Sequence, residues 1–288
     1  MAAAEPNPLH EEIDVYGTTH VGKVRQSNQD HFLLCSLHKQ MEIHGTSLPD
    51  PGQLPLRGER LAFMAFVADG VGGHAAGEEA SRIALETVVQ YVTQSMQCYY
   101  AYDAAKEHEF LEQLTDTVME CHQQVTNEAE SNPARKGMAT TLTLAIVIWP
   151  WAYVVQVGDS RCYQLRDGEL IQITRDQTVA QELYDKGVLS TAEAIDSKWA
   201  HVLASAIGGP EATPVINRIA MQRDDVMMLC SDGLTGYVPD EQIRRRLVEM
   251  ESSQQVAEAL VADALAGGGG DNVTVVVGRS KAPVASPV

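Results

Sequence analysis

Four aspartates follow apolar runs and have glycine, serine or asparagine beside them: Asp69, Asp159, Asp232 and Asp271. A carboxylate at the end of a buried strand is costly unless a partner compensates it, and glycine lets the backbone turn or approach a ligand. One such aspartate is usually a turn or helix-cap residue. Four of them, in a chain without a histidine or cysteine cluster of zinc type, favour oxygen ligands for Mg²⁺ or Mn²⁺.

The elements that must position these carboxylates fall into separate groups of strands and helices. Strand patterns occur at residues 13–19, 61–68, 142–149, 151–157, 216–220, 226–230 and 273–278. Helical patterns occur at residues 78–97, 104–130, 240–250 and 253–265. Because the strands do not alternate with the helices, the order predicts an α+β layered fold rather than a doubly wound one.

Four further segments have distinct patterns. Residues 36–60 are rich in proline and glycine, which predicts a surface loop. Residues 175–214 are expected to form a mostly helical excursion between strands. The ends, residues 1–12 and 280–288, are expected to be flexible tails because they contain prolines and small residues.

Composition excludes several classes of protein. The 288 residues carry a formal charge of -18, which repels nucleic acids and anionic lipid surfaces, so neither is an expected partner. The five cysteines lack C-x-x-C spacing, and the N-terminus lacks the basic start and apolar run of a signal peptide. Residues 138–157 are apolar, but threonines and the Trp149-Pro150-Trp151 break favour two core strands over a membrane span. We therefore expect a cytoplasmic protein.

Six motifs together resemble, in order, those of the metal-dependent protein phosphatase 2C family in its bacterial form. They are HVGKVRQSNQD at 20–30, DGVGGH at 69–74, GMATT at 137–141, GDSR at 158–161, SDGL at 231–234 and GDN at 270–272. Each motif alone is weak, but six in the right order over residues 13–279 are a strong signal. The resemblance implies a single catalytic domain over 13–279, with a flap subdomain at 175–214.

The resemblance also implies a fold and a ligand set. The fold is a four-layer α-β-β-α sandwich of two antiparallel sheets flanked by helices, with a binuclear Mn²⁺ or Mg²⁺ centre. Asp69 would bridge both ions and the Gly70 carbonyl would bind one of them. The remaining ligands would be Asp232 and Asp271 for the other ion, Asp30 for metal-bound water, and Asp159 with Asp232 for a weaker third ion.

The expected chemistry is in-line attack on phosphorus. Two ions about 3.5–4 Å apart lower the pKa of a shared water, so that hydroxide is available near neutral pH. Arg25, five residues before Asp30, lies where the family places an arginine that binds the phosphoryl oxygens. The expected activity is hydrolysis of phosphoserine and phosphothreonine on proteins, by a monomer whose substrates are made by a Ser/Thr protein kinase.

Two positions depart from the family. Val71 stands where the animal members have a histidine proposed as general acid, and His74 is the nearby titratable alternative, although a capping role is favoured for it. The end of the 175–214 segment lacks the His-Pro and arginine of many bacterial members. Contacts by His201 and Lys198 in this segment stay open as an alternative, but solvated side chains are favoured for both.

Three other interpretations need comparison. Residues 70–75 fit a dinucleotide-binding fingerprint, but a helix rather than a second parallel strand follows, and Asp69 would repel the pyrophosphate. A catalytically silent pseudo-phosphatase is disfavoured because all five aspartates are present. A phosphatase or phosphodiesterase acting mainly on small phosphate esters stays open, because a binuclear centre recognises phosphoryl geometry more than the attached group.

Overall fold

The computed structural model describes residues 7–40, 43, 57–72, 75–94 and 106–282, which form two antiparallel sheets flanked by helices. In the first sheet each strand lies antiparallel to its neighbour. Its order is β1 (Ile13–His20), β11 (Val273–Ser280), β10 (Val226–Cys230), β7 (Arg161–Arg166) and β8 (Glu169–Gln172). The first and last strands of the described residues are therefore direct neighbours.

The second sheet is also antiparallel throughout. Its order is β2 (Asp30–Gln40), β3 (Arg57–Val71), β5 (Leu142–Ile148), β6 (Trp151–Val157) and β9 (Val215–Ala220). A short strand, β4 (Ala139–Thr140), pairs with the end of β3. The predicted turn at Trp149-Pro150-Trp151 joins β5 to β6, so the apolar stretch at 138–157 forms core strands, as expected.

Helices cover the outer face of each sheet. α1 (Ala75–Gln94) and α2 (Glu107–Ser131) pack on the second sheet, and α6 (Asp240–Val248) and α7 (Ser253–Gly267) pack on the first. Alternation along β3 shows the layering, because Phe66 packs among the helices while Val67 packs between the sheets. The α+β four-layer sandwich predicted from the sequence is confirmed.

Sequence patterns did not reveal four of the strands: β2, β4, β7 and β8. β7 is central, yet it contains Arg161 and Gln164, whose side chains are paired with Asp176 and Asp225. These partners lie 15 and 61 residues away, so a local pattern of hydrophobic residues cannot show why polar side chains are tolerated in a buried strand.

Two predicted segments differ from expectation. Residues 36–40 and 57–60 of the predicted loop belong to β2 and β3, while 41–42 and 44–56 lie outside the described residues. The expectation that 175–214 is mostly helical is wrong: it contains two short helices, α3 (Val179–Asp185) and α4 (Thr191–Ile195), and otherwise turns and bends.

The two ends of the described chain pack together. The Lys281 N–H donates to the Glu12 carbonyl (2.7 Å), and Arg223 forms an ion pair with Glu12. The remaining parts of the predicted tails, 1–6 and 283–288, lie outside the described residues. Among the helices of the described ranges, none combines the length and apolarity needed to cross a bilayer.

Candidate metal centre

One cavity of about 1080 Å³ brings together most of the residues that the motifs single out. Its lining comes from both sheets and from the 175–214 segment. It includes Arg25, Asp69, Gly70, Asp159, Asp232 and Asp271. Asp30 is buried beside this wall, since it is the direct partner of Asp69 in the β2–β3 register. The fold therefore gathers in one place residues that are up to 246 positions apart.

The GMATT motif fixes the end of β3. The Asp69 N–H donates to Thr141 Oγ1 (3.0 Å), and Thr140 Oγ1 donates to the Asp69 carbonyl (2.9 Å). Gly70 pairs with Thr140 in β4, and a side chain at Gly70 would collide with the Gly77 carbonyl. The threonines thus hold the backbone that carries Asp69 at the cavity.

Asp159 follows a turn that requires glycine. Gly158 has φ +104°, in the region that residues with a side chain rarely adopt, and a Cβ there would lie 2.6 Å from Thr141 Cγ2. The next residue, Ser160, shares a 2.8 Å hydrogen bond with Thr141 Oγ1. The same threonine therefore ties the turns that carry Asp69 and Asp159.

Asp232 and Asp271 occupy two neighbouring turns of the first sheet. Asp232 begins the short helix α5 (Asp232–Thr235), directly after β10. A side chain at Gly233 would collide with the Asn272 carbonyl, so glycine is needed for the two turns to pack. This close approach explains why the SDGL and GDN motifs occur together.

Arg25 lies on a loop fastened to the GDN turn. Asn272 accepts from the Gln29 N–H (2.9 Å) and donates to the carbonyls of Val21 (2.9 Å) and Ser27 (3.0 Å). Arg25 Nη2 then donates to Asp271 Oδ2 at 2.6 Å. The Arg25 guanidinium is half exposed and faces the cavity, where a phosphoryl group could reach it.

Burial and, to a smaller extent, mutual repulsion raise the pKa values of the carboxylates in and beside the cavity. Burial raises the pKa of Asp69 well above its usual value, and the charges of Asp30, Asp232, Asp159 and Asp271 raise it further. Burial and the Asp232 charge likewise raise the pKa of Asp159. Burial raises the pKa of Asp30 to about 6 against the lowering effect of its hydroxyl partners. Such a cluster is more stable when positive charge lies among the carboxylates.

The donor set fits hard divalent cations. Asp30 Oδ1 is buried and has no hydrogen-bond partner among the described residues, and an unpaired buried carboxylate oxygen is costly. In the same described part of the chain, no group of three or more acidic, histidine or cysteine side chains is arranged so that it could hold a metal ion as it stands. Asp271 is instead engaged by Arg25 and by the Asn272 N–H. A metal ion and Arg25 would therefore compete for Asp271 Oδ2.

His201 lies closer to the site than the sequence indicated. Its side chain is largely exposed, but Nδ1 is 3.7 Å from Asp232 Oδ2, and this interaction raises the His201 pKa. Lys198 instead lies over the Trp199 ring at 4.8 Å. Val71 is exposed at the cavity wall, and His74 lies outside the described residues.

The fold and the acidic cavity define the class of protein: a four-layer sandwich whose two sheets both contribute carboxylates to one cavity. The family model for protein phosphatase 2C matches residues 55–266, and the chain belongs to that family. It is 33% identical over 215 residues to the serine/threonine phosphatase stp of Listeria monocytogenes, covering 74% of this chain and 83% of that protein.

A second relative is the serine/threonine protein phosphatase PstP of Mycobacterium tuberculosis, 37% identical over 216 residues and 75% of this chain. The match spans only 40% of the length of that PstP. A crystal structure of M. tuberculosis PstP superposes with TM-score 0.74 at 30% identity, covering 94% of this chain and 99% of that one. A structure of the PstP catalytic domain in complex with two manganese ions superposes with TM-score 0.72, at the same identity and coverage.

Proposed function

We propose that this chain is a metal-dependent phosphatase that hydrolyses phosphoserine and phosphothreonine on proteins. The observation that carries the proposal is the cavity itself, where Asp69, Asp159, Asp232 and Asp271 face one space beside buried Asp30. Family membership and the names of its relatives agree with this activity.

Two Mn²⁺ or Mg²⁺ ions fit the donor set, with Asp159 available for a third. By the motif resemblance, Asp69 would hold both ions, the Gly70 carbonyl would hold one of them, Asp232 and Asp271 would hold the other, and Asp159 with Asp232 would hold the third. Bound ions of this kind lower the pKa of water and neutralise phosphoryl charge. The manganese complex of PstP supports this choice of metal.

The protein side chains bind and orient the substrate. Arg25 binds the phosphoryl oxygens through its guanidinium fork once it leaves Asp271, since a charge-assisted pair with phosphate replaces the one with carboxylate. Asp30 has one oxygen fixed by hydroxyl groups and the other unpaired, so it can accept a proton or a hydrogen bond in a fixed direction.

The ligand roles predict a clear mutational result. Asp69→Asn and Asp232→Asn remove negative charge with little change of shape, so we expect a folded protein whose kcat falls at least about a thousandfold. Circular dichroism and hydrolysis of an aryl phosphate with Mn²⁺ measure the two properties. A near-normal rate in either variant would sink the assignment.

The substrate class and partner are part of the same proposal. The cavity is open enough to receive a phosphorylated side chain from another protein. A Ser/Thr protein kinase is the kind of enzyme that produces such substrates. We further propose that the chain acts as a monomer. Sedimentation of the active protein tests the last point, since comigration of activity with a dimer would contradict it.

A further inference from the structure

A closed ring of hydrogen bonds, here the Asp30 ring, surrounds the buried carboxylate. The Asp30 N–H donates to Asn28 Oδ1 (3.2 Å), and Asn28 Nδ2 donates to Thr19 Oγ1 (2.8 Å). Thr19 Oγ1 lies 2.7 Å from Thr274 Oγ1, and Thr274 Oγ1 donates to Asp30 Oδ2 (2.8 Å). Thr19 and Thr274 are direct partners in the β1–β11 register, so strand pairing brings the two hydroxyls together.

The direction of every hydrogen bond in the ring is determined by chemistry. Asn28 must present its oxygen to the Asp30 N–H, so its NH₂ group faces Thr19. Ionised Asp30 can only accept, so the single hydroxyl hydrogen of Thr274 points at Asp30. The hydroxyl of Thr19 therefore donates to Thr274. The hydrogen bonds therefore all run in one direction along the ring and end at Asp30 Oδ2, and each hydrogen bond polarises the next.

A second hydroxyl supports the same oxygen. Ser231 Oγ donates to Asp30 Oδ2 at 2.7 Å and accepts from the Thr274 N–H at 3.0 Å. Ser231 directly precedes Asp232, and its side chain is fully buried. Oδ2 is thus held by two hydroxyls, whereas Oδ1 has no partner among the described residues.

We infer that Thr274 and Ser231 are positioning residues that turn Asp30 Oδ1 toward the metal centre, with Thr19 and Asn28 fixing the hydroxyl of Thr274. The inference rests on the proposed function only for the role of Asp30 Oδ1 at the metal centre. The hydroxyl contacts themselves do not depend on it. Mutation of groups that orient a metal ligand or its hydrogen-bonded partner commonly lowers metal affinity or activity about 10–100-fold.

The test compares variants that differ by one hydroxyl or one methyl group. Thr274→Val keeps the shape and removes the hydroxyl, while Thr274→Ser keeps the hydroxyl and removes the methyl. For Thr274→Val we expect kcat for an aryl phosphate to fall about tenfold or more and the Kd for Mn²⁺ to rise about tenfold. KM should stay within about twofold because Arg25 is untouched. Thr274→Ser should restore kcat to within about threefold of the original protein.

The matched control is Thr117→Val in α2, which removes a buried hydroxyl that donates to the Gln113 carbonyl far from the cavity. It should leave kcat and Mn²⁺ binding unchanged. Thr274→Val with normal kcat and normal Mn²⁺ affinity would overturn the inference, as would Thr274→Ser impaired as much as Thr274→Val.

A second variant keeps the inference testable if Thr274→Val fails to fold. Thr19 is exposed, and Thr19→Val removes the hydroxyl that accepts from Asn28 and donates to Thr274, so kcat should fall about threefold with folding intact. An unchanged kcat in Thr19→Val would overturn the role of the ring.

Calorimetric Mn²⁺ titration needs no substrate, so it separates this inference from the proposed function. If the original protein binds Mn²⁺ but is inactive on every substrate, the proposed function fails. The Kd values of the original protein and of the variants for Mn²⁺ then still test the role of the ring.

Discussion

Arg25 is the residue that we propose as the phosphate ligand. Its ion pair with Asp271 is half exposed, so the pair contributes little to stability. For Arg25→Ala we expect KM for a phosphopeptide to rise roughly 10–100-fold, with a smaller loss of kcat, because a charge-assisted phosphate contact is removed.

The matched control for Arg25→Ala is Lys23→Ala, which removes one positive charge from the same exposed loop. Steady-state kinetics of both variants separate a specific contact from general attraction. Equal changes of KM in the two variants would show that Arg25 acts as an ordinary surface charge and not as a specific phosphate ligand.

Asp159 is expected to destabilise the metal-free protein, because its charged carboxylate is buried near Asp232. It is buried and repelled by Asp232, so Asp159→Asn should stabilise the metal-free protein. In EDTA at pH 8 we expect Tm to rise by roughly 2–4 °C, equivalent to about 1 kcal/mol. The same variant should show a smaller increase of Tm on addition of Mn²⁺.

Thermal unfolding followed by circular dichroism measures both effects of Asp159→Asn. Asp116→Asn, on an exposed position of α2, is the control and should change neither value. A lower Tm for the metal-free Asp159→Asn protein would show that the carboxylate stabilises the fold rather than straining it.

At the scale of elements, sequence patterns identified the strands that read as apolar runs. β6 and β10 have the predicted bounds because their residues are buried on both faces. β7 was missed because Gln164 and Arg161 find partners far along the chain. The motif order found the acidic residues of the cavity. It included Thr141 without revealing its hydrogen bond to the Asp69 N–H, and it did not include Thr274, whose hydroxyl donates to Asp30, because only the fold shows these contacts.

The 175–214 segment is fastened to the sandwich at its base. Gln177 accepts from the Gly158 N–H (2.8 Å), and its carbonyl accepts from the Ala204 N–H (2.8 Å). Farther out, Val188 and Ile195 are strongly exposed. The segment therefore has a fixed base beside Asp159 and an outer part with two exposed apolar side chains.

Replacement of residues 179–198 by a short linker tests the role of that outer part, because it leaves Gln177 and His201 in place. We expect the relative kcat/KM among different phosphopeptides to change several-fold, while hydrolysis of an aryl phosphate stays within about threefold. Competition among the peptides provides the measurement. Equal losses on peptides and aryl phosphate would indicate that the segment supports the cavity instead of selecting substrates.

At the scale of the whole molecule, the two sheets contribute to one site from opposite sides of the sandwich. β2 and β3 carry Asp30 and Asp69, while the turns after β10 and before β11 carry Asp232 and Asp271. Local sequence could not predict the distances between these groups, because they depend on how the sheets pack. The charge of -18 in turn favours retention of cations over binding of polyanions.

The most direct test of the account is hydrolysis by protein from which metal has been stripped, with Mn²⁺, Mg²⁺, Zn²⁺ or no metal added back. An aryl phosphate and a phosphothreonine peptide are the two substrates. We predict that Mn²⁺ or Mg²⁺ restores hydrolysis of both and that the metal-free protein is inactive. Full activity without metal, or a folded protein that no metal activates on either substrate, would contradict the account.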